Sequence, residues 1–540
     1  MIASDVVLVI ALAVFIVAWW IPAIPARRSV LLICALAALA AGVWGFLDHR
    51  WQAAAGAIAA LSFLLALFLT RGRKQGVPFV SGPLLTLLAA AAVAVLAIFP
   101  VAPLPKPTGP HAVGVRTFEL ADASRPGLFS AQPKEPRRLL VRVWYPATPA
   151  EDARPMRYFS PTEARTTAHG LGGLINFGPL LSHLKHVRTN GYEDAPLLPA
   201  PDKRSVVVYS HGYMSFLGQN TALMEDLASH GYIVYSIQHT YDASDTVFPN
   251  GDIAPMDAQL KRSHDDERPA GMSVLLTGKT LDERLAGHLL LPQQDARLVM
   301  QSGPAWVADR QFLLDRLADG TVPEAVVEIA AAGDVSKTGQ IGMSFGGSAT
   351  GGFCAVDTRC AAGVNLDGLS YHLQTLGTQM PVPFLMLHSD LERFRRVIGE
   401  DAPEAAHSFN QFSYERFEET GQSDEVYRFQ VKDALHMGFS DFTLFIRQPL
   451  GDVFLGKVPA ETMIALQNDV VRDFFDRYIR GEANGFPEEV QTAYGDRLIP
   501  IDNADVRLWW TGKTPEARMQ ILKDIEAART EAVPSGAGRN

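Results

Sequence analysis

The chain has three cysteines in 540 residues, Cys34, Cys354 and Cys360. So few exclude a disulfide-framed scaffold, and no Cys/His cluster stands ready for a structural metal. There is no H-E-x-x-H and no run of Lys and Arg. The first absence removes the common zinc-hydrolase pattern, and the second removes the clustered positive charge that nucleic-acid backbones require. Neither a cofactor nor a nucleic-acid partner is expected, and no protein partner can be inferred. Glycine has no period and hydrophobic residues make up 48% of the chain, which excludes collagen-like and disordered classes. The most telling shortage is of charge near the N-terminus. Residues 1–103 hold six basic and two acidic side chains, net +4, against −10 for the whole chain, which leaves −14 on residues 104–540.

Four stretches of the first block carry no charge: Val6 to Ala26, Ser29 to Leu47, Trp51 to Thr70 and Gln75 to Pro105. Each is near or above the ~20 residues that cross a hydrocarbon core. Helices buried in a soluble protein keep a polar stripe, whereas Ala, Leu and Val all round suit lipid, so four transmembrane helices are expected. Arg27 and Arg28 follow the first span and Arg71, Arg73 and Lys74 the third; the second link offers Asp48, His49 and Arg50. Retention of Lys and Arg on the cytoplasmic side puts both termini outside, with the rest of the chain extracytoplasmic. Trp19, Trp20, Trp44 and Trp51 fall at span ends, as interface anchors do. The Pro-rich run from Pro100 to Pro110 reads as a stiff linker. In an oxidising compartment Cys354 and Cys360 either pair or remain two buried thiols, and both options stand.

The expected organisation is a membrane block over 1–103, a linker over 104–113, a catalytic domain over 114–485 and a C-terminal extension over 486–540, disordered from Ala532. Arg138 to Pro146 alternates as a strand, and Tyr158 to Pro201 reads as a polar surface insertion. A continuous apolar run at Ser205–Ser210 suits a strand buried on both faces, and further strands are read at Ile233–Gln238, Thr338–Met343, Ala362–Leu366, Pro383–His388 and Val426–Val431. Helical patterns fall between them at Thr221–His230, Trp306–Leu317, after Phe345 and at Ala460–Ile479. Repeated β then α predicts a doubly wound, mostly parallel α/β sheet, interrupted by an insertion at about 243–335 whose use as a lid is left open.

The sharpest motif is G-M-S-F-G-G, Gly342 to Gly347, directly after a buried strand and opening a helix. A nucleophilic serine needs such a strained strand-to-helix turn to lift its hydroxyl clear of the sheet, so Ser344 is the candidate nucleophile. Its base should come later in the chain. Of His372, His388, His407 and His436, only His436 sits on a loop just after a late strand, and it is the candidate base. Two aspartates end successive strands, Asp367 in N-L-D-G and Asp390 after L-M-L-H-S, and strand order alone leaves the acid open between them. The oxyanion needs two backbone N–H donors: Phe345, after the nucleophile, and one from the loop after Ser205–Ser210. There H-G-Y-M offers Tyr213, with Met214 behind it; His211 is read as a structural hydrogen-bonder.

The runs S-H-G-Y-M-S-F-L-G-Q, G-M-S-F-G-G, N-L-D-G and H-M-G-F-S-D-F, in this order from about Gly114 to Asp441, resemble the plasma-type platelet-activating factor acetylhydrolases. The resemblance implies an α/β-hydrolase fold and a serine-dependent lipase that cleaves short or oxidised acyl chains from phospholipids without calcium. It implies Ser344 as nucleophile, His436 as base, Asp367 rather than Asp390 as acid, and Tyr213 and Phe345 as oxyanion donors. Two departures touch the acyl site: Met343 stands where the family usually has His, and Tyr213 and Met214 replace its usual leucine loop. The four spans are foreign to the secreted enzymes. A membrane-anchored serine esterase or lipase acting on an ester or phospholipid is therefore expected. A serine peptidase on the same fold, or an inert hydrolase-like module with its function in the spans, are the competing readings.

Overall fold

Four apolar helices open the computed structural model: α1 (Ala3–Trp20), α2 (Arg27–Leu47), α3 (Ala53–Leu69) and α4 (Ser81–Ile98). The structure describes residues 1–71, 81–130, 132, 134–257, 274–275, 278–397 and 410–531. Arg73 and Lys74 of the third link, His407 and the tail from Ala532 lie outside the described residues. The expectation of four spans is corrected here, because among the described residues three helices, α1, α2 and α4, are long and apolar enough to cross a membrane. The third has 17 residues, about 26 Å at 1.5 Å per residue. It starts two residues later than its uncharged stretch, because Trp51 and Gln52 are taken into the turn that follows α2.

The two ends of this helical unit are tied by different means. At one end the Arg50 guanidinium donates to the Asp5 carboxylate at 3.2 Å and to Phe99 O at 2.6 Å, and the Met1 amine donates to Val101 O at 3.0 Å. At the other, Arg28 donates to Thr70 O at 3.0 Å and Arg27 to the carbonyls of Ala18 and Trp19. Residues 157–189 and 444–452 belong to the same unit. The stretch expected as an irregular surface insertion is thus partly helical, with Leu181, Leu184 and Val187 buried. Its first helix, Pro161–Arg165, is started by a capping box. Ser160 Oγ accepts from Glu163 N at 3.1 Å while Glu163 accepts from Ser160 N at 2.7 Å.

The second unit is built on strands β1 (Ala112–Pro126), β2 (Pro136–Ala147), β3 (Pro155–Arg157), β4 (Arg188–Glu193), β5 (Arg204–Ser210), β6 (Ile233–His239), β7 (Thr246–Val247), β8 (Ile253–Ala254), β9 (Gly333–Met343), β10 (Cys360–Leu366), β11 (Phe384–His388), β12 (Val426–Val431) and β13 (Leu498–Pro500). Eleven of them form one mixed sheet in the order β13-β12-β11-β10-β9-β5-β6-β2-β1-β4-β3; β7 and β8 form a separate hairpin. The strands from β12 to β6 run parallel to their neighbours, and β2, β1 and β13 join antiparallel. The expected doubly wound arrangement holds for the parallel part. Side chains alternate in direction along a strand, so a run apolar at every position needs cover on both faces. Val207, Tyr209, Ile341 and Met343 pack with α5 (Thr221–Ser229) and α8 (Ala460–Phe475). Val206, Val208, Phe384 and Met386 pack with α6 (Gly303–Asp319) and α7 (Phe345–Val356) on the other face. Burying each such Val or Leu contributes about 1.5–3 kcal/mol.

Both ends of the sheet unit hold more structure than the sequence suggested. The Pro-rich linker is hydrogen-bonded rather than free: Asn190 Nδ2 donates to Pro105 O at 2.8 Å and Thr108 N to Asp226 at 2.7 Å. Beyond residue 486 the chain supplies β13 and three helices, Glu488–Tyr494, Ala504–Thr511 and Pro515–Glu531, and Val506, Trp510 and Ile525 of the last two pack with Leu285 and Leu291 of the insertion helix Leu281–Gln294. Cys354 and Cys360 are joined as a disulfide.

Candidate active site

Ser344 stands between β9 and α7 with φ 56° and ψ −122°, a backbone state that costs a non-glycine residue about 1–3 kcal/mol. The surroundings hold it there. Ser344 N donates to Leu366 O at 2.8 Å, and the helix turns back so tightly that a Cβ on Gly346 would lie 2.1 Å from Ser210 O. That close approach is why the motif needs glycine two residues after the serine. Asp367, at φ 54° just past β10, anchors its backbone by donating to Leu387 O at 2.8 Å. In G-M-S-F-G-G and N-L-D-G alike, the chemistry-bearing residue occupies the left-handed region and its neighbours are pinned by the adjacent strand.

His436 opens a single 3-10 turn, His436–Phe439, after β12. Its Nε2 lies 2.9 Å from Ser344 Oγ and its Nδ1 2.7 Å from Asp367 Oδ2. One tautomer satisfies both contacts: Nδ1–H donates to the carboxylate and Nε2 accepts from the serine hydroxyl. The other Asp367 oxygen accepts from Ser389 N at 2.6 Å, so the carboxylate is fixed in place with its side chain buried. The imidazole remains 39% exposed. Asp390 is not brought to His436. Its oxygens accept from Arg393 N at 3.0 Å and Asp433 N at 2.9 Å, tying together the turns on either side of the sheet edge. His372 and His388 are buried, and burial pushes each imidazole down to about 4.

The loop after β5 lies beside the serine, since a Cβ on Gly212 would meet Ser344 Cβ at 3.3 Å. Met214 N donates to Asp242 O at 2.8 Å, which withdraws it as an oxyanion donor. Among the described residues neither Tyr213 N–H nor Phe345 N–H donates a hydrogen bond. The direction of the Tyr213 N–H is nevertheless set, because the peptide is planar and its other end is held. Gly212 O accepts from Ser215 N at 3.0 Å and from His211 Nδ1 at 2.6 Å, while His211 Nε2 accepts from His239 N at 3.2 Å. His211 is thus a structural hydrogen-bonder, and burial holds its imidazole well below the usual range. Met343 is buried; Gln219 Nε2 donates to its sulfur at 3.3 Å, and Gln219 Oε1 accepts from Gly212 N at 2.7 Å.

Several residues of the insertion support this loop, and the motifs did not reveal them. Arg297 donates from Nε to the Tyr213 hydroxyl at 2.9 Å and pairs with Asp242 at 3.0 Å and Asp257 at 2.5 Å. Trp306 stacks on His239 at 3.8 Å, meets Phe345 edge-on at 4.9 Å and donates to Asp242 at 3.1 Å. Arg310 is fully buried under the elbow, donating to Ile341 O at 3.0 Å and Gly346 O at 3.2 Å; burial pushes its guanidinium down to about 9. A signal was present: in W-V-A-D-R-Q-F-L-L-D-R-L, Asp309 and Arg310 fall on the stripe marked by Trp306, Leu313, Leu314 and Leu317. A charged pair on the apolar face of a helix must find buried partners.

Residues 96–259 match the family model for platelet-activating factor acetylhydrolase, isoform II. A probable 1-alkyl-2-acetylglycerophosphocholine esterase of Arthroderma benhamiae is 24% identical over 424 residues, 72% of this chain and 93% of the relative. The chain is a distant relative of the isoform II acetylhydrolases. Among them, the platelet-activating factor acetylhydrolase of Canis lupus familiaris is 22% identical over 392 residues, covering 70% of this chain and 77% of its own. That of Cavia porcellus is 22% identical over 417 residues, covering 74% and 83%. The family match ends before Ser344 and so carries the Gly212–Met214 loop but not the hydrogen-bonded serine, histidine and aspartate. A ferulic acid esterase from Streptomyces cinnamoneus superimposes with a TM-score of 0.52 at 24% identity, over 74% of this chain and 100% of that one, and so shares the fold. The chain is thus similar in sequence to acetylhydrolases and in fold to an esterase.

Proposed function

We propose that the chain is a membrane-anchored serine carboxylic ester hydrolase that cleaves short acyl esters or phospholipid acyl chains. The observation that carries this reading is the hydrogen-bonded series Ser344–His436–Asp367 on a strained strand-to-helix turn. His436 Nε2 takes the Ser344 proton as Oγ attacks the ester carbonyl, and the buried Asp367 carboxylate stabilises the imidazolium that forms. The Tyr213 and Phe345 amides, without other acceptors and with the first held by the His211 contact to Gly212 O, receive the oxyanion. Collapse of the tetrahedral intermediate breaks the ester C–O bond, and His436 gives its proton to the departing alcohol. Water activated by the same imidazole then hydrolyses the acyl-enzyme and returns Ser344.

Three apolar helices long enough to span support anchoring in a bilayer. Met1 and Val101 meet at the end of the helical unit opposite Arg27 and Arg28, so retention of those arginines on the cytoplasmic side, with a Cys354–Cys360 disulfide suited to an oxidising compartment, supports an extracytoplasmic catalytic unit. A tethered lipase meets phospholipid without dissociating, which favours amphiphilic esters. The test is hydrolysis by the full chain in lipid nanodiscs of a soluble short-acyl ester, a 1-alkyl-2-acetylglycerophosphocholine and a long-acyl phosphatidylcholine. Release of acid that depends on Ser344, fastest from the acetylated phospholipid, is expected. Activity indifferent to Ser344→Ala would overturn the reading.

A further inference from the structure

We infer that Asp242 is a positioning residue for both oxyanion donors: its main chain and its carboxylate together hold Tyr213 and Phe345, which come from separate parts of the chain. This deepens the hydrolase reading above and rests on it. Asp242 lies three residues beyond β6, and its side chain is fully buried. The loop it belongs to is pinned to the loop after β5 by two backbone rungs. Met214 N donates to Asp242 O at 2.8 Å, and Ser244 N donates to Ser215 O at 2.8 Å. The first rung catches Met214 in the left-handed region, at φ 61°, a state that a non-glycine residue keeps only where its surroundings fix it. Each peptide is planar, so holding Gly212 O on one side and Met214 N on the other leaves Tyr213 little freedom to turn its N–H.

The carboxylate extends one arm to each donor residue, because an ionised carboxylate only accepts and has two oxygens to do so. Oδ1 accepts from Arg297 Nη2 at 3.0 Å, and Arg297 Nε donates in turn to the Tyr213 hydroxyl at 2.9 Å. Oδ2 accepts from Trp306 Nε1 at 3.1 Å, and the Trp306 ring meets Phe345 edge-on at 4.9 Å. The rings of Tyr213 and Phe345 lie 5.2 Å apart, so the two arms close on each other. Arg297 and Trp306 come from the insertion, whereas Tyr213 follows β5 and Phe345 follows β9; Asp242 is where these segments are joined. Amides stabilise a developing oxyanion in proportion to how well their directions are set before the reaction. An amide side chain at 242 would keep the backbone rung but offer a single acceptor oxygen. Its NH2 would then face Arg297 or Trp306, both of them donors, and one arm would be lost.

The test compares Asp242→Asn with the parent protein, both as the full chain in nanodiscs, with p-nitrophenyl acetate as substrate and a short-chain alkyl trifluoromethyl ketone as inhibitor. Ser344 Oγ adds to the ketone carbon while its proton passes to His436; with no leaving group to depart, the adduct keeps its oxyanion. Asp242→Asn should lower kcat/KM by about 10- to 100-fold, less than the ~10²–10³-fold cost of removing an oxyanion donor outright. It should weaken the ketone by the same factor and leave KM within about threefold. Trp306→Phe removes one arm's N–H and keeps a ring, and Tyr213→Phe removes the other arm's hydroxyl and keeps the amide. Each should lower kcat/KM and ketone affinity together, by about three- to tenfold, and this pair decides the matter if Asp242→Asn does not fold. Folded variants with full activity, a rise in KM alone, or lost turnover with unchanged ketone affinity would overturn the positioning role. A parent protein that neither hydrolyses the ester nor binds the ketone would overturn the hydrolase reading and this inference with it. A parent that does both confines any failure of the variants to Asp242.

Discussion

Among its described residues the sheet unit holds two Ser–His–Asp series, and their differences separate a reaction centre from a structural brace. In one, His436 links Ser344 at 2.9 Å to Asp367 at 2.7 Å. In the other, His239 links Ser210 at 2.8 Å to Asp309 at 2.8 Å. Distances alone do not distinguish them. Ser210, His239 and Asp309 are all fully buried, whereas His436 is partly exposed and Ser344 sits on a left-handed turn. Burial would raise Asp309, but Arg137 and the His239 hydrogen bond hold it well below the carboxylate range. Burial pushes His239 down to about 4 against the pull of Asp309. A neutral ring without a path to solvent, braced by a carboxylate already committed to Arg137 at 2.6 Å, can hold loops in place but cannot pass a proton to substrate. Nucleophilic chemistry needs the strained turn, the access and the free amides as well as the three side chains.

The largest effects should divide the two series most sharply. Ser344→Ala or His436→Ala should cut ester hydrolysis by about four to six orders of magnitude, measured as kcat on a soluble ester in protein whose thermal transition is intact. Ser210→Ala should stay within about threefold, and a loss comparable to Ser344→Ala would erase the distinction. Asp367→Asn should cost about 10⁴-fold in kcat by imposing the wrong imidazole tautomer. Asp390→Asn should cost less than about tenfold, with its effect on the denaturation midpoint instead. Asp309→Asn should leave Arg137 buried without its counter-charge and destabilise the unit by about 3–5 kcal/mol, seen as a shifted urea midpoint.

A smaller effect follows from pH. His239, His372 and His388 are each pushed down to about 4 by burial, so between about pH 6.5 and 4 the unfolded chain binds protons that the folded one refuses. Stability is then full above about 6.5 and falls with acidification, by about 1.4 kcal/mol per pH unit for each ring. Urea midpoints at pH 7 and pH 5 measure the slope. His372→Phe should lessen it by one ring's share, and a slope unchanged by that substitution would remove His372 from the count. Ser210→Ala should be mildest of all, about 1 kcal/mol of stability for one lost hydrogen bond.

The legibility of the sequence followed the same division. Ser205–Ser210 was readable because a parallel sheet buries an apolar run on both faces, and Val426–Val431 was bounded to the residue although Arg428 and Gln430 interrupt its apolar side chains. The strained serine turn was readable because the chain cannot make it without glycine on either side. The choice between Asp367 and Asp390 was not, since both end adjacent strands and only the third dimension shows Asp390 bound to Arg393 N and Asp433 N. The supports Arg297 and Trp306 lie in an insertion whose partners, Asp242 and Tyr213 among them, are distant in sequence. Strands β1 and β13 escaped notice because a strand that joins a sheet antiparallel needs no continuous apolar run. Three adequate spans in place of four turned on the Trp51–Gln52 turn, which hydropathy does not register.

The account is tested most directly by treating the full chain with a fluorophosphonate and locating the adduct by peptide mass spectrometry. A single adduct on Ser344, absent from Ser344→Ala and never on Ser210, is the predicted result. Folded protein that takes no label, or takes it on another serine, would contradict the assignment of the reaction to the Ser344–His436–Asp367 series.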